Sequence, residues 1–506
     1  MDEGVRKEAD THDTDVYEFF RKGLEQHRHH QYPQFRHHQD PKNPAGASSE
    51  SAQRGVELTY AEALSDEDVG VLRRMLSTGP PVKKICIWQM TLNAFRIAFD
   101  DFRGCSSLEA LQVRRIECGS EDCSIKLSGL FSSLRSLDLR CENIGTVFAK
   151  EIASYLRENK TLTKFSLWYS CGGDEGAAAL VEALSVNETL KRFTLAQMSL
   201  SSVILIRFAE VLASNSTLEV VELFDVCLAE PDQVQRLLDT GRYASAFKRL
   251  RFLWPEHLLP LLTRLLREQA CHPELSVSVT SSVDDVVLRE FFDAVAEDTT
   301  VRVLHFYPGE TTFDALARGI DSVVKRTTTL REIANLMGVE LGKERQLVSI
   351  LDSLKENRSV DTFIMHAKCL TAEIATSLSE LLAVNNTLNN VAVCEDFEIL
   401  PDHVETIVQG LRNNYTLTGL LVYWDPYDPD AISEIEELLK RNVCLQKKAA
   451  EFVISGSGDV SDVEGADALK KLHSSAGLVE KVRELTGKTR EAALEEIQSA
   501  LARLSP

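Results

Sequence analysis

The sequence predicts an α/β solenoid of about 13 repeats, each made of one short strand and one helix, with helical caps at both ends. Two observations carry the prediction. Apolar residues recur at positions 1, 4 and 6 of a short motif, and successive motifs begin 26 to 30 residues apart. Between the motifs lie segments whose apolar residues have helical spacing.

The motif is clearest in "LKRFTL", where Leu190, Phe193 and Leu195 occupy positions 1, 4 and 6. Two-residue alternation turns positions 4 and 6 of such a strand toward the core. In the segment before it, Ala177, Leu180, Val181 and Leu184 share one helix face. Motifs begin at residues 82, 108, 134, 162, 190, 218, 247, 274, 301, 330, 360, 388 and 417, and those at 274 and 330 are weaker. A strand plus a helix at this period is the leucine-rich repeat.

An asparagine lies three residues before position 1 in six motifs, each time in an Asn-x-Thr or Asn-x-Ser tripeptide: Asn159, Asn187, Asn215, Asn357, Asn385 and Asn414. We interpret it as the residue that ends each helix, because asparagine tolerates the left-handed conformation found there. The alternative is N-linked glycosylation. The charged first twenty residues do not resemble a secretory signal, which favours the structural interpretation.

The period and the full helix in each unit resemble leucine-rich repeats of the ribonuclease-inhibitor type, over about residues 80 to 450. That class also forms the C-terminal arrays of NOD-like receptors, including the NLR family CARD domain-containing proteins. The chain departs from the class at position 9, usually Asn or Cys, where it has Met90, Ile116, Glu142, Ser170, Met198 and Val226. The array is therefore divergent.

No nucleotide-binding NACHT domain or CARD is recognisable, so the chain resembles the sensor array alone. Gly487-Lys488-Thr489 suggests a phosphate-binding loop, but Val482 stands where that motif needs its first glycine. Five segments are predicted: a disordered, His-rich segment at 1–57, an N-terminal capping helix at 58–79, the repeat array at 80–454, a linker at 455–465 and a helical tail at 466–506.

The tail has an apolar stripe of Leu494, Ile497, Leu501 and Leu504, which predicts a helix packed on the array or, alternatively, a partner-binding helix. Composition also predicts where in the cell the protein is located. The net charge of −21, the absence of an apolar run long enough to span a membrane and the sparse cysteines, eleven without a C-x-x-C pair, predict a soluble, cytoplasmic protein. No cofactor or metal site is expected, although the histidines of 1–57 leave metal chelation open.

The candidate binding site follows from the outward strand positions 2, 3, 5, 7 and 8, which line the concave side of a horseshoe. In the first seven repeats these positions hold many more bases than acids. The bases are Lys83, Lys84, Arg114, Arg115, Arg135, Arg140, Lys164, Lys191, Arg192, Lys248, Arg249 and Arg251, and the acids are Glu109, Asp138, Glu219, Glu222 and Asp225.

Aromatic residues occupy positions 7 and 8 beside these bases. Tryptophan, tyrosine and arginine together are typical of protein interfaces. The predicted protein-binding residues are Trp88, Arg114, Arg140, Trp168, Tyr169, Arg192, Phe224, Trp254, Tyr307, Tyr423 and Trp424. Alternatively, the rings fold under the strand ends and complete the core.

The sequence therefore predicts a non-enzymatic scaffold or sensor that binds a protein with an acidic patch, and the resemblance implies innate-immune or regulatory signalling. No catalytic constellation or small-molecule site stands out. Interspersed acids argue against nucleic acid. The alternative is a GTPase activator of the Ran-activator type, which uses the same repeat class but carries a longer acidic tail.

Overall fold

The computed structural model describes residues 56–64, 66–78, 81–99, 107–117, 133–141, 145–168, 171–196, 200–224, 243–279, 283–308, 313–339, 344–367, 370–394, 401–422, 429–455 and 462–504. Strands and helices alternate along most of this part of the chain; no helix is described between the strands at 110–117 and 136–141, and the four elements from residue 429 onward are all helices. The structure confirms the predicted α/β solenoid of leucine-rich-repeat type.

The strands are β1 Val56–Leu64, β2 Val82–Thr91, β3 Ala110–Glu117, β4 Ser136–Cys141, β5 Lys164–Trp168, β6 Arg192–Ala196, β7 Val220–Phe224, β8 Leu250–Trp254, β9 Glu274–Val279, β10 Val303–Pro308, β11 Glu332–Val339, β12 Thr362–Ala367, β13 Asn390–Cys394 and β14 Gly419–Val422. The predicted motifs at 82 to 417 all overlap or directly precede a strand, β2 to β14.

The helices are α1 Asp66–Thr78, α2 Leu92–Phe99, α3 Thr146–Glu158, α4 Gly173–Val186, α5 Ser202–Ser214, α6 Ala244–Phe247, α7 Leu259–Arg267, α8 Asp285–Glu297, α9 Phe313–Arg326, α10 Glu344–Glu356, α11 Ala372–Val384, α12 Pro401–Arg412, α13 Pro429–Ser455, α14 Val463–Leu472, α15 Ala476–Thr486 and α16 Arg490–Arg503. Among the described residues, no helix combines the length and apolar character needed to cross a bilayer.

The chain divides into two compact units after Ser276, within β9. In the first unit, β1 to β8 pair in parallel in chain order. In the second unit, β10 to β14 pair in the same way. Each strand thus lies beside the equivalent strand of the next repeat, so equivalent positions form continuous rows.

The core follows the predicted register. Leu190, Phe193 and Leu195 are all fully buried, and the equivalent Leu162, Phe165 and Leu167 are at most 1% exposed. Strand residues 4 and 6 of one repeat pair with those of the next, as Phe165 does with Phe193 at a ring-centroid distance of 6.0 Å. Burial of these rows supplies the main hydrophobic stabilisation of each unit.

The N-terminal cap differs from the prediction. Residues 58–64 belong to strand β1, which begins at Val56 and pairs with β2; only 66–78 form a helix. The cap is therefore an additional strand followed by a helix, and residues 56 and 57 belong to it rather than to the predicted disordered segment. Residues 1–55 lie outside the described part of the chain.

The repeated asparagine ends each helix as predicted, but not in the left-handed conformation. Asn187 has φ −77° and ψ 127°, and Asn159, Asn215 and Asn385 are similarly extended. Its side chain explains the repeat instead. Asn187 Oδ1 accepts hydrogen bonds from the backbone N–H groups of Thr189 and Leu190 at 3.0 and 2.7 Å.

The asparagine amide also joins neighbouring repeats. Asn187 Nδ2 donates to the carbonyl of Leu156 at 2.6 Å and to that of Asn159 at 3.3 Å. Asn215 repeats the pattern one period later, and Asn385 and Asn414 do so in the second unit. We call this row the asparagine ladder. Because Asn187 is 1% exposed, its amide is not accessible to a glycan in the folded chain.

Arginine takes over where the asparagine is missing. Arg249, in the repeat after Asn215, donates to the carbonyls of Asn215 and Leu218 at 2.8 and 2.7 Å. Arg441 likewise donates to the carbonyl of Arg412 at 3.0 Å and to that of Asn414. A guanidinium carries enough donors to satisfy several helix-end carbonyls at once. Arg249 thus has two roles. It binds backbone carbonyls, as an asparagine does in other repeats, and it adds positive charge to its strand face.

The tail is helical, as predicted, and packs on α13. Ile497 is buried in a cluster with Phe452, Leu469 and Leu478, and Leu501 and Leu504 pack against that cluster. Leu494 is 36% exposed, so three of the four residues of the predicted stripe are used in packing. The predicted linker is helical from Val463 onward, while 456–461 lie outside the described residues.

Candidate functional site

The candidate site is the outward side of β2 to β8, in the first unit, which we call the basic face. Parallel register places equivalent outward residues of neighbouring strands side by side. Position 3 forms the row Lys84, Ala110, Ser136, Lys164, Arg192 and Val220; position 5 forms the row Cys86, Gln112, Asp138, Ser166, Thr194, Glu222 and Arg251. The row at position 3 supplies cations of the face, and the row at position 5 forms the floor of the face.

Cations at both ends of the face are neutralised. Lys84 Nζ lies 3.5 Å from Glu57 of β1, and Lys83 lies 3.8 Å from Glu109. Toward the other end, Lys191 forms an ion pair of 2.8 Å with Glu219. The hydrogen bond from Lys191 and the Lys191 charge lower the pKa of Glu219, and the Arg192 charge adds to this effect.

The centre of the face carries exposed cations without such partners. Arg135, Lys164 and Arg192 are exposed, and no carboxylate forms an ion pair with them among the residues that the structure describes. Lys164 and Arg192 are register partners on adjacent strands. We call these three residues the cation triplet. Like charges opposite each other destabilise a sheet, so an anionic ligand here would relieve a repulsion that the fold leaves in place.

Aromatic rings form a second row at position 7. The Trp168 and Phe224 rings are stacked, with centroids 5.2 Å apart and planes inclined by 19°. They belong to β5 and β7, and the intervening residue in register is Ala196 of β6. Because alanine projects only a methyl group, the two rings can meet above it. We call this pair the ring platform.

Arginines stack on the rings of this row. The Arg140 guanidinium lies 4.8 Å from the Trp168 ring centroid, and Arg114 lies 5.2 Å from that of Trp88. Arg140 is 7% exposed, whereas Trp88 is 50% exposed. Cation–π contacts hold planar groups in one orientation. Arg140 therefore supports the ring platform from within, and Trp88 presents a ring to solvent.

A polar network closes the C-terminal side of the basic face, and the sequence interpretation missed its role. Arg251, 4% exposed, pairs with Glu222 at 3.0 Å and with Glu274 at 2.6 Å. Thr194 Oγ1 donates to Glu222 at 2.8 Å. The polar residues at position 5 of seven consecutive repeats were the available signal. Because one arginine faces two carboxylates, the network offsets the charge of Glu222 only in part.

Trp254 was predicted to lie on the binding surface, but the structure buries it. It is 3% exposed and packs against the Phe252 ring at 4.4 Å and the Phe247 ring at 5.9 Å. Trp254 occupies position 8, and two-residue alternation turns that position inward with positions 4 and 6. Its ring belongs to the core of the first unit and is not a binding residue.

The predicted residues are thus divided between three places. Trp88, Arg114, Arg140, Trp168, Arg192 and Phe224 lie together on the basic face. Tyr307 is half-buried on β10 of the second unit. Tyr169, Tyr423 and Trp424 lie outside the described residues.

The strand side of the second unit has a different character. At position 5, Ala334, Ile364 and Ala392 are at most 2% exposed. His305, at the same position of β10, is 1% exposed and its Nε2 lies 2.9 Å from Glu332. Near the strand starts, Ser475 of the tail lies within hydrogen-bond distance of Asn389, at 3.5 Å. At position 5, β10 to β13 thus have a buried histidine and buried apolar residues, whereas the basic face has mostly polar or charged residues there.

Comparison with known proteins yields structural likenesses but no family. No protein-family model and no curated protein matches the chain. The solved structures that resemble part of the chain include two proteins. The leiomodin-1 actin-binding site 2 is 16% identical, with a TM-score of 0.24, over 38% of this chain and 92% of that one. The tropomodulin C-terminal domain of Caenorhabditis elegans is 15% identical, with a TM-score of 0.23, over 37% and 97%. Neither likeness bears on function.

Proposed function

We propose that the protein is a non-enzymatic interaction scaffold whose basic face binds a protein partner through an acidic patch. The observation that carries the proposal is the cation triplet beside the ring platform, on the exposed strand face of a chain whose net charge is −21. Arginine and exposed aromatic rings supply most of the binding energy in protein interfaces. A basic surface would also steer an acidic partner toward the face.

The resemblance to the arrays of NOD-like receptors supports a sensor or regulatory role in the cytoplasm, and we propose this setting for the scaffold. Its action is binding rather than catalysis. In a GTP-hydrolysis assay with Ran, the protein is expected to leave the rate unchanged, and stimulation would favour the GTPase-activator alternative.

The proposal predicts that partner capture depends on the strand face and not on the helices. Trp88→Ala with Lys164→Glu and Arg192→Glu removes one exposed ring and reverses two cations of the face. We expect proteins captured from a lysate to be reduced about tenfold or more, because ring contact and charge complementarity are both lost. Quantitative mass spectrometry of the captured proteins is the measurement.

A matched control is available on helix α3 of the same unit. Val147→Ala with Lys150→Glu and Arg157→Glu removes one exposed apolar side chain, 47% exposed against 50% for Trp88, and reverses two exposed cations. This helix variant should retain the captured proteins. Equal losses in both variants, or none in either, would show that the basic face is not the binding surface. Thermal melting establishes that both variants are folded.

A further inference from the structure

Between the cation triplet and the ring platform the side chains of β5 and β6 are small, and we call the strip above them the groove. Its floor at β5 and β6 consists of Ser166 and Thr194, which are each 3% exposed and have small side chains. On the outer strands β4 and β7 the same row holds Asp138 and Glu222. Position 3 lies on one side of this floor and position 7 on the other, four residues along the strand. At about 3.3 Å per residue, the two rows are roughly 13 Å apart. An α-helix with its side chains is about 10–12 Å across, which fits between them.

The cations are spaced to match one side of such a helix. Neighbouring strands lie about 4.8 Å apart, so the cation triplet on β4, β5 and β6, with Arg135 just before β4, extends over roughly 10 Å. Residues i and i+7 of a helix are about 10.5 Å apart along its axis, and i, i+3 or i+4, and i+7 share one side. Alternate residues of an extended chain would need about 13 Å for three carboxylates.

The charges around the groove favour an acidic occupant. Lys164 and Arg192 are adjacent and lack ion-pair partners among the described residues, while Glu222 is held by Arg251. Asp138 of β4 is the carboxylate nearest in sequence to the triplet. It accepts a hydrogen bond from Gln112 Nε2 at 3.3 Å. Among the described residues, the three cations face Asp138 and the partly offset Glu222, so the groove edge keeps a net positive charge.

We propose that the groove receives an acidic α-helix of the partner, lying across β4 to β7. Carboxylates on one side of the helix contact the cation triplet, and an apolar residue on the opposite side contacts the ring platform. The inference rests on the proposed function, since it names the part of the partner that the basic face binds. An amphipathic helix in a groove is a common mode of protein recognition.

Designed peptides test this occupant directly. The probe is a fluorescein-labelled, alanine-based helical peptide of about 20 residues, with glutamates at i, i+3 and i+7 on one side and leucines on the other. A second peptide has the same composition with its glutamates distributed around the helix, and a third replaces glutamate by lysine. Fluorescence anisotropy with the full chain should show binding of the first peptide about tenfold tighter than of the other two, weakening as salt is raised.

Two variants test whether the first peptide binds in the groove. Lys164→Glu with Arg192→Glu should weaken the first peptide about tenfold or more, whereas Lys150→Glu with Arg157→Glu on α3 should leave its affinity unchanged. Equal binding of the three peptides, or equal effects of the two variants, would overturn the inference. If no peptide binds while partner capture still depends on the face, this inference fails and the proposed function stands. If capture itself is insensitive to the face, the proposed function fails.

Discussion

Replacing Asn187 by alanine is expected to lower the free energy of unfolding by about 3–5 kcal/mol, the largest effect of any single change of a polar side chain proposed for this chain. The side chain is 1% exposed and binds two backbone N–H groups and two backbone carbonyls from adjacent repeats. Alanine removes the side-chain partner of all four groups, and among the described residues only the Asn159 carbonyl keeps a second donor, the hydroxyl of Thr189 at 3.2 Å. Urea denaturation followed by circular dichroism measures the change.

The neighbouring residue provides the control for the asparagine ladder. Glu188 is exposed, and Glu188→Ala is expected to change the free energy of unfolding by no more than about 0.5 kcal/mol. Asn187→Asp keeps the oxygen acceptor but replaces the amide donor with a second oxygen, so it should also be destabilising. If Asn187→Ala is as mild as Glu188→Ala, the ladder does not join the repeats energetically.

Replacing Leu190 by alanine is expected to cost about 2–5 kcal/mol, because it opens a cavity in a closely packed row. Leu190 is fully buried at position 1, next to the exposed Lys191 at position 2. Lys191→Ala removes only a surface ion pair with Glu219, worth about 0–1 kcal/mol. The same denaturation experiment compares them, and equal losses for the two variants would mean that the strand register is misplaced.

Most of the fold could be predicted from the sequence because each repeat carries the same buried positions. The first strand could not. Counting back 26 residues from Val82 gives Val56, Thr59 and Ala61 at positions 1, 4 and 6, and only Val56 is a large apolar residue. In the structure a register shift after Val56 pairs Leu58 with Ile85 and Tyr60 with Ile87, so the apolar residues at positions 4 and 6 lie one residue earlier than the constant spacing places them.

The asparagine shows a second limit of prediction from the sequence. Its place at the helix end was predictable, but its backbone conformation was not, because a polar side chain bound to neighbouring repeats stabilises an extended backbone equally well. Whether each aromatic ring faces outward or inward could be predicted from two-residue alternation along its strand. Position 7 of Trp168 is outward and position 8 of Trp254 is inward, a distinction that separates the ring platform from the core.

The central claim is that the basic face is the surface on which a partner binds. Hydroxyl-radical footprinting of the full chain, with and without a captured partner, tests it most directly because the oxidation of each exposed side chain is measured separately. Trp88 and Phe224 on the face and Val147 and Val186 on the helices are exposed or partly exposed probes. We predict that the partner protects Trp88 and Phe224 and leaves Val147 and Val186 unchanged. Protection of the two valines with unchanged oxidation of the two face residues would contradict the account.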